Sequence, residues 1–218
     1  MNTNPYMQST STISMLDKMQ FLPIVVDAVQ HLENTLPKEL YYHSVDHTKR
    51  VIKKAIEFAV YENINDRDVE IITIAAAYHD TGFTIRYEKN EEIGASMAIT
   101  AMKITGVYSD KEMESVGKMI LSTELVSTDN GFERILKTQL AKYLLDADLS
   151  IFGDSDFLHQ CELLRRERSQ DFASFYKEAP LMLKGHYWFT NAASDLLDRE
   201  KAKNVGRLYK FIETHNGN

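Results

Sequence analysis

The sequence predicts an all-α chain folded as one domain, and three observations carry that expectation. Glycine and proline are scarce, nine and four copies in 218 residues, whereas a sandwich or barrel needs many turn residues. Apolar residues recur at helical spacing through most of the chain. No segment sustains the period-two alternation of a half-buried strand. At 44% hydrophobic residues, the chain can bury one sizeable core.

Residues 1–12 are polar and rich in Ser, Thr and Asn, and are expected to form a flexible N-terminal tail ahead of a helical domain spanning 13–214. A first helix is expected from about Met15 to Thr35, running through Pro23 and ending before Pro37. A second starts at Ser44, a good N-cap with Asp46 in the first turn, and its apolar face reads Val51, Ala55, Phe58, Ala59. A third begins near Asn65-Asp66. It carries Val69, Ile72 and Ala76 on one side and Ile71, Ile74 and Ala75 on others, the mark of a buried helix. It should end at His79-Asp80, with Gly82 as the stop signal. Further helices are expected at about Glu91–Thr105, Asp110–Leu125, Phe132–Phe152, Asp156–Lys177 and Thr190–Thr214.

Composition narrows the function classes. Charged residues make up 26% of the chain, close to the globular average, and the formal net charge is -7. The longest basic groupings are Arg165-Arg166 with Arg168, and Lys53-Lys54 beside Lys49 and Arg50. No nucleic-acid polymer is therefore expected as a partner. A small anionic substrate stays open, because a metal supplies local positive charge. The single cysteine, Cys161, rules out a disulfide framework within the chain and suits a reducing cytoplasm; it reads as an inert thiol. The N-terminus lacks the pattern of a signal peptide. The apolar stretch Ile71–Tyr78 falls far short of the ~20 residues that a membrane span needs. A cytoplasmic location without a membrane partner is the expectation, and the oligomeric state stays open, a homodimer included.

Three places in the sequence call for an explanation. His43 and His47 are four residues apart and share a side with Val51 and Ala55, the face that the second helix buries. Imidazoles there need partners for their nitrogens, which a backbone carbonyl or a metal can supply. His79-Asp80 ends the most buried helix, and the pair offers a metal one nitrogen and one oxygen. The third place is Leu144-Leu145-Asp146-Ala147-Asp148-Leu149-Ser150, an acidic pair in an apolar helix. Asp148 continues a stripe of Leu136, Leu140, Leu144 and Ile151 and is expected to point inward. Asp146 lies one turn after Lys142, so a surface ion pair or a supporting role accounts for it. The sum is two imidazoles and two carboxylates from three helices, a common way for helical bundles to build a metal site. None of the seven histidines lies between Asp80 and Asp148.

The order His, then His-Asp, then Asp resembles the HD-domain superfamily of metal-dependent phosphohydrolases. The segments that carry the likeness are Tyr42-His43-Ser44-Val45-Asp46-His47, Ala76-Ala77-Tyr78-His79-Asp80-Thr81-Gly82, Asn90-Glu91-Glu92-Ile93-Gly94-Ala95 and Asp146-Ala147-Asp148-Leu149-Ser150. They span roughly Leu40 to Gly153. Leu197-Asp198-Arg199-Glu200-Lys201-Ala202-Lys203-Asn204 is similar to the closing helix of small bacterial proteins of this type. The resemblance implies a single-domain helical bundle and a divalent metal, one of Mn, Fe, Ni, Co, Zn or Mg, held by His47, His79, Asp80 and Asp148. The opening segment also looks like that of class I cyclic nucleotide phosphodiesterases, which implies that His43 gives a proton to the leaving oxygen. Ser44 departs from that pattern, where asparagine is usual. Asn90 stands where histidine commonly precedes Glu-x-x-Gly. A second metal would have only Asp80, Glu91 or Glu92 and water, so one tightly bound ion is expected.

The expected activity is hydrolysis of a phosphate ester of a nucleotide or another small molecule, with Asp80 or Glu91 taking the proton of the attacking water. Two other readings are a non-catalytic metal or nucleotide sensor and a di-iron oxygenase, the last disfavoured by the histidine gap. Arg50, Lys54, Arg86 and Lys89 lie near the motifs and are candidates for holding phosphate, although ordinary surface charge explains each better. Tyr42, Tyr78, Phe83 and Tyr87 are candidates to line a base pocket, against a default of core packing. His159 and His186 have no spacing partner and read as structural, and Trp188 reads as core.

Overall fold

Pro23 divides what the periodicity reads as one helix. In the computed structural model, which describes residues 5–128 and 131–215, α1 (Pro5–Gln20) ends ahead of it and α2 (Pro23–Thr35) starts on it. A proline fits the first helical position, where its missing N–H has no partner to lose, but breaks a helix interior. α1 also begins within the stretch expected as a tail; Met15, Leu16 and Met19 pack it against the core. Residues 1–4 lie outside the described residues.

Capping side chains set the next starts. Ser44 accepts from the His47 N–H and opens α3 (Val45–Tyr61), which buries His47, Val51, Ala55, Phe58 and Ala59. Asn65 accepts from the Asp68 N–H and opens α4 (Asp66–Tyr78). α4 is the central helix, fully buried from Ile71 to Tyr78, and it packs on α3 and α2. His79 and Asp80 follow it into a short 3-10 turn, Thr81–Thr84. α5 (Asn90–Thr105) closes on Gly106, whose φ of 70° is the left-handed conformation a helix end favours. Ser109 and Glu112 form a reciprocal capping box at the start of α6 (Asp110–Leu121).

The largest departure from expectation lies in the segment read as one helix over Phe132–Phe152. Two short antiparallel strands, β1 (Leu125–Thr128) and β2 (Gly131–Arg134), pair Leu125 with Arg134. Only α7 (Ala141–Asp148) is helical, followed by a 3-10 turn at Ser150–Gly153. Leu136 is 38% exposed and belongs to no helical stripe. The expected Asp156–Lys177 helix is likewise two, α8 (Phe157–Glu167) and α9 (Phe172–Gly185). Ser169 between them has φ 51°, and Asp171 caps α9 by accepting from the Ser174 N–H. α10 (Asn191–His215) completes the fold.

The main core gathers apolar residues of α2 to α7, among them Phe58, Ile72, Met102, Met119 and Leu144. A smaller cluster of Ile151, Phe152, Phe157, Phe175, Tyr176 and Leu208 joins α8, α9 and α10 to the turn after α7. Asn204 of α10 fixes that turn by donating to the Phe152 and Asp154 carbonyls at 3.0 and 2.6 Å. Gly153 is required there, since a Cβ would sit 2.5 Å from that of Leu197. Among the described residues no helix is long and apolar enough to cross a membrane.

Candidate metal centre

Three helix ends converge on one point. His47 stands in the first turn of α3, where the Ser44 cap fixes its backbone. His79 follows α4, and its Nδ1 donates to the Ala76 carbonyl at 2.8 Å, which directs Nε2 the other way. Asp148 is the last residue of α7. The two imidazoles are 1% exposed. Their Nε2 atoms lie 3.3 Å apart. Asp80 Oδ2 is 3.3 Å from His47 Nε2 and 3.2 Å from His79 Nε2. Asp148 Oδ1 is 3.1 and 3.7 Å from the same two nitrogens.

Donors that share one ion at about 2.0–2.2 Å stand roughly 2.8–3.6 Å from one another, so the spacing suits a common metal. The buried group of His47, His79 and Asp80 is therefore able to hold a metal ion, and Asp148 reaches the same nitrogens. Asp80 Oδ2 supports this directly: it is buried and accepts no hydrogen bond. A buried carboxylate oxygen without a donor is costly unless a cation satisfies it.

The electrostatics agree. Burial works against a charge on His79, but Asp80 and Asp148 outweigh it and carry the imidazole pKa up to about 10. On His47 burial prevails and the pKa falls. Burial would raise Asp80, yet the His79 charge holds it below the usual carboxylate range. Asp148 is held well below that range too, with Arg134 the main cause acting against burial. The two carboxylates thus demand positive charge between them.

Small residues allow the corner to close. A Cβ on Gly82 would meet the Asn90 carbonyl oxygen at 1.9 Å, and one on Gly94 would meet that of Tyr78 at 2.7 Å. These two glycines let α5 lie directly against the His79-Asp80 corner, and Gly82 serves this close approach. Asn90 is buried there, its Nδ2 donating to the Tyr87 carbonyl at 3.3 Å.

His43 is beside the cluster, its ring 6.0 Å from that of His47. Phe83 lies against it at 4.4 Å, and Tyr42 and Tyr87 meet its edges. Its Nδ1 hydrogen-bonds Glu167 Oε1. Glu167 Oε2 accepts the backbone N–H groups of Tyr42 and His43 at 2.8 and 3.0 Å, and the Tyr87 hydroxyl donates to Oε1 at 3.3 Å. Burial alone would lower the His43 pKa; the Glu167 hydrogen bond and the charges of Asp80 and Glu167 raise it above the ordinary imidazole value. Glu91, at the start of α5, is raised chiefly by burial and then by the charges of Glu124 and Asp80.

Other expectations need correction. Asp146 is not a surface residue paired with Lys142. It is fully buried and accepts from the N–H groups of Phe189 and Thr190, at 2.9 and 2.8 Å, and from the Thr190 hydroxyl at 2.7 Å. Lys142 pairs with Glu62 instead, at 3.0 Å. Glu92 is exposed and faces Arg86 and Lys89, each at 3.7 Å, so none of the three joins the cluster. Lys54 pairs with Glu57. Of the four candidate cations only Arg50 reaches the site, its Nη2 lying 3.3 Å from both His47 Nδ1 and Gln160 Oε1. Tyr42, Phe83 and Tyr87 surround His43, whereas Tyr78 belongs to the core. His186 is structural, wedged against Phe152 and Trp188. Burial pushes the Cys161 thiol up to about 12, in keeping with an inert group.

Two residues outside the sequence motifs complete the site. Glu167 ends α8, and Arg134 ends β2 with its Nη2 donating to Asp148 Oδ2 at 2.7 Å. No protein-family model matches the chain, and no curated protein is similar to it.

Proposed function

We propose that the chain is a metal-dependent phosphohydrolase, cleaving a phosphate ester of a nucleotide or related small molecule with water. The observation that carries this reading is the placing of four donors for one cation beside an imidazole that Glu167 holds by its Nδ1. The likeness of the motif order to HD-domain phosphohydrolases points the same way.

His47, His79, Asp80 and Asp148 would hold the ion. When bound, a divalent metal supplies a water of lowered pKa and polarises a phosphoryl oxygen. Glu91 is the more basic of the two carboxylates suited to take the water's proton, because its pKa is raised where that of Asp80 is lowered. His43 is a proton donor to the leaving oxygen. With Nδ1 committed to Glu167, Nε2 is the nitrogen left for this task, and the hydrogen bond to Glu167 with the charge of Asp80 raises the ring's pKa and so favours the proton-bearing form. Phe83 and Tyr42 pack the ring in place.

The test is a turnover screen over nucleotides and other phosphate esters, with added divalent metals, run beside Asp80→Ala. Hydrolysis by the wild type and none by the variant is the expected result. Binding of metal and nucleotide with no turnover of any ester would favour a sensor. Two irons per chain and uptake of dioxygen would favour an oxygenase, a reading the described residues do not assist: between Asp80 and Asp148 no imidazole is available for a second ion.

A further inference from the structure

We infer that Arg134, on the small hairpin, is the residue that binds the phosphoryl group of the substrate; the inference rests on the phosphohydrolase reading above. Among the described residues, three buried side-chain polar atoms lack a hydrogen-bond partner: Asp80 Oδ2 and the Nε and Nη1 of Arg134. They belong to one place. Asp80 Oδ2 is within 3.3 Å of His47 Nε2, which lies 3.1 Å from Asp148 Oδ1. The other oxygen of Asp148 accepts from Arg134 Nη2 at 2.7 Å. A single carboxylate therefore separates the guanidinium from the point where the donors converge.

The orphans are complementary. The unsatisfied acceptor asks for a cation, and the unsatisfied donors ask for an anion. A phosphoryl group beside a divalent ion held by His47, His79, Asp80 and Asp148 would answer the second demand, its oxygens accepting from Nε and Nη1. An arginine suits this role because its planar fork presents several N–H groups to one oxyanion. The charges add up in the same direction. Asp80 and Asp148 offset a divalent ion, and Arg134 leaves a surplus positive charge that an anion can meet. Arg50 is the less suitable cation, since its Nη2 already contacts Gln160 Oε1 and His47 Nδ1.

Exposure orders the site in a way that fits. The side chains of His47 and His79 are 1% exposed and form a floor. Those of Asp80, Asp148, Arg134 and His43 are 10%, 11%, 14% and 18% exposed and form the rim on which a ligand would arrive. Arg134 and His43 then stand at that rim as groups that can offer N–H donors to a ligand. One would hold the non-bridging oxygens, and the other would meet the leaving oxygen.

The experiment titrates inorganic phosphate into the manganese-loaded protein by calorimetry and counts metal per chain by elemental analysis, for the wild type, Arg134→Gln and Arg134→Lys. Loss of a charged, many-handed hydrogen-bond donor should weaken phosphate binding about 10- to 100-fold in Arg134→Gln. Arg134→Lys should fall between, keeping the charge without the fork, and metal content should be unchanged in both variants. Equal phosphate affinity in the wild type and Arg134→Gln would overturn the assignment. So would a loss of metal that tracks the loss of phosphate, because Arg134 would then merely prop Asp148. A metal-loaded wild type that binds no phosphate would bring down the phosphohydrolase reading as well, whereas wild-type binding left intact in Arg134→Gln sinks the assignment of Arg134 alone.

Discussion

Asp146 and Asp148 lie two residues apart on α7, and each is at least nine-tenths buried. Asp146 accepts from three N–H and O–H donors of the Phe189–Thr190 turn. Asp148 meets two imidazole nitrogens and one guanidinium. Burial dominates the first and carries its pKa up to about 6, while Arg134 and the imidazoles hold the second well below the carboxylate range. Partners, not burial alone, set what each carboxylate does. A buried carboxylate facing backbone donors ties two segments of chain together; one facing cations and ligand nitrogens belongs to a centre that holds charge.

Removing one aspartate at a time tests that contrast. The largest effect is expected at the cation-facing one: Asp148→Ala should lose both metal and turnover, read by elemental analysis and ester hydrolysis, while the helical circular dichroism stays. His43→Ala comes next. General acid catalysis contributes about 10²–10⁴-fold, so turnover should fall in that range with metal content unchanged. Asp146→Ala should reverse the pattern of Asp148→Ala. Three buried donors lose their acceptor, at a cost of about 2–4 kcal/mol in urea unfolding, with metal per folded chain preserved. Metal loss in Asp146→Ala comparable to that in Asp148→Ala would erase the distinction.

The smallest effect concerns pH. The Asp146 carboxyl has a raised folded pKa, so its contribution to stability is fully present below the ordinary carboxylate value of 3.8 and is lost as pH rises through about 6. His47 and His186 are lowered by burial and act in the opposite sense over part of that window. The comparison that isolates Asp146 is therefore wild type minus Asp146→Asn. That difference should shift against the wild type between pH 4 and 6, measured by urea unfolding at each pH, and a flat difference would refute the assignment.

Much of this contrast was legible in the sequence, but unevenly. The Ser44 cap, the helix start near Asn65-Asp66, the all-round apolar α4 and the position of His79-Asp80 at its end are local signals, and each stands where expected. Asp148 was expected to point inward on a stripe running back to Leu136, yet that stripe is broken by the hairpin. Leu140 caps α7 and Leu144 lies within it, so the period holds from there to Asp148, and only Leu136 falls outside the helix. The supporting role expected of Asp146 stands and the Lys142 pairing does not, because its partners lie more than forty residues away, at Phe189 and Thr190, and no local rule reaches that far. Glu167 and Arg134 share that cause: one is 124 residues from His43, and the other is on the hairpin that periodicity concealed.

The central claim is that His47, His79, Asp80 and Asp148 share one cation. Crystals grown with manganese(II), measured at a wavelength where manganese scatters anomalously, test it most directly. One strong peak is expected about 2.0–2.3 Å from Nε2 of both histidines and from a carboxylate oxygen of each aspartate. A map in which manganese is absent from these four atoms, or held elsewhere, would contradict it.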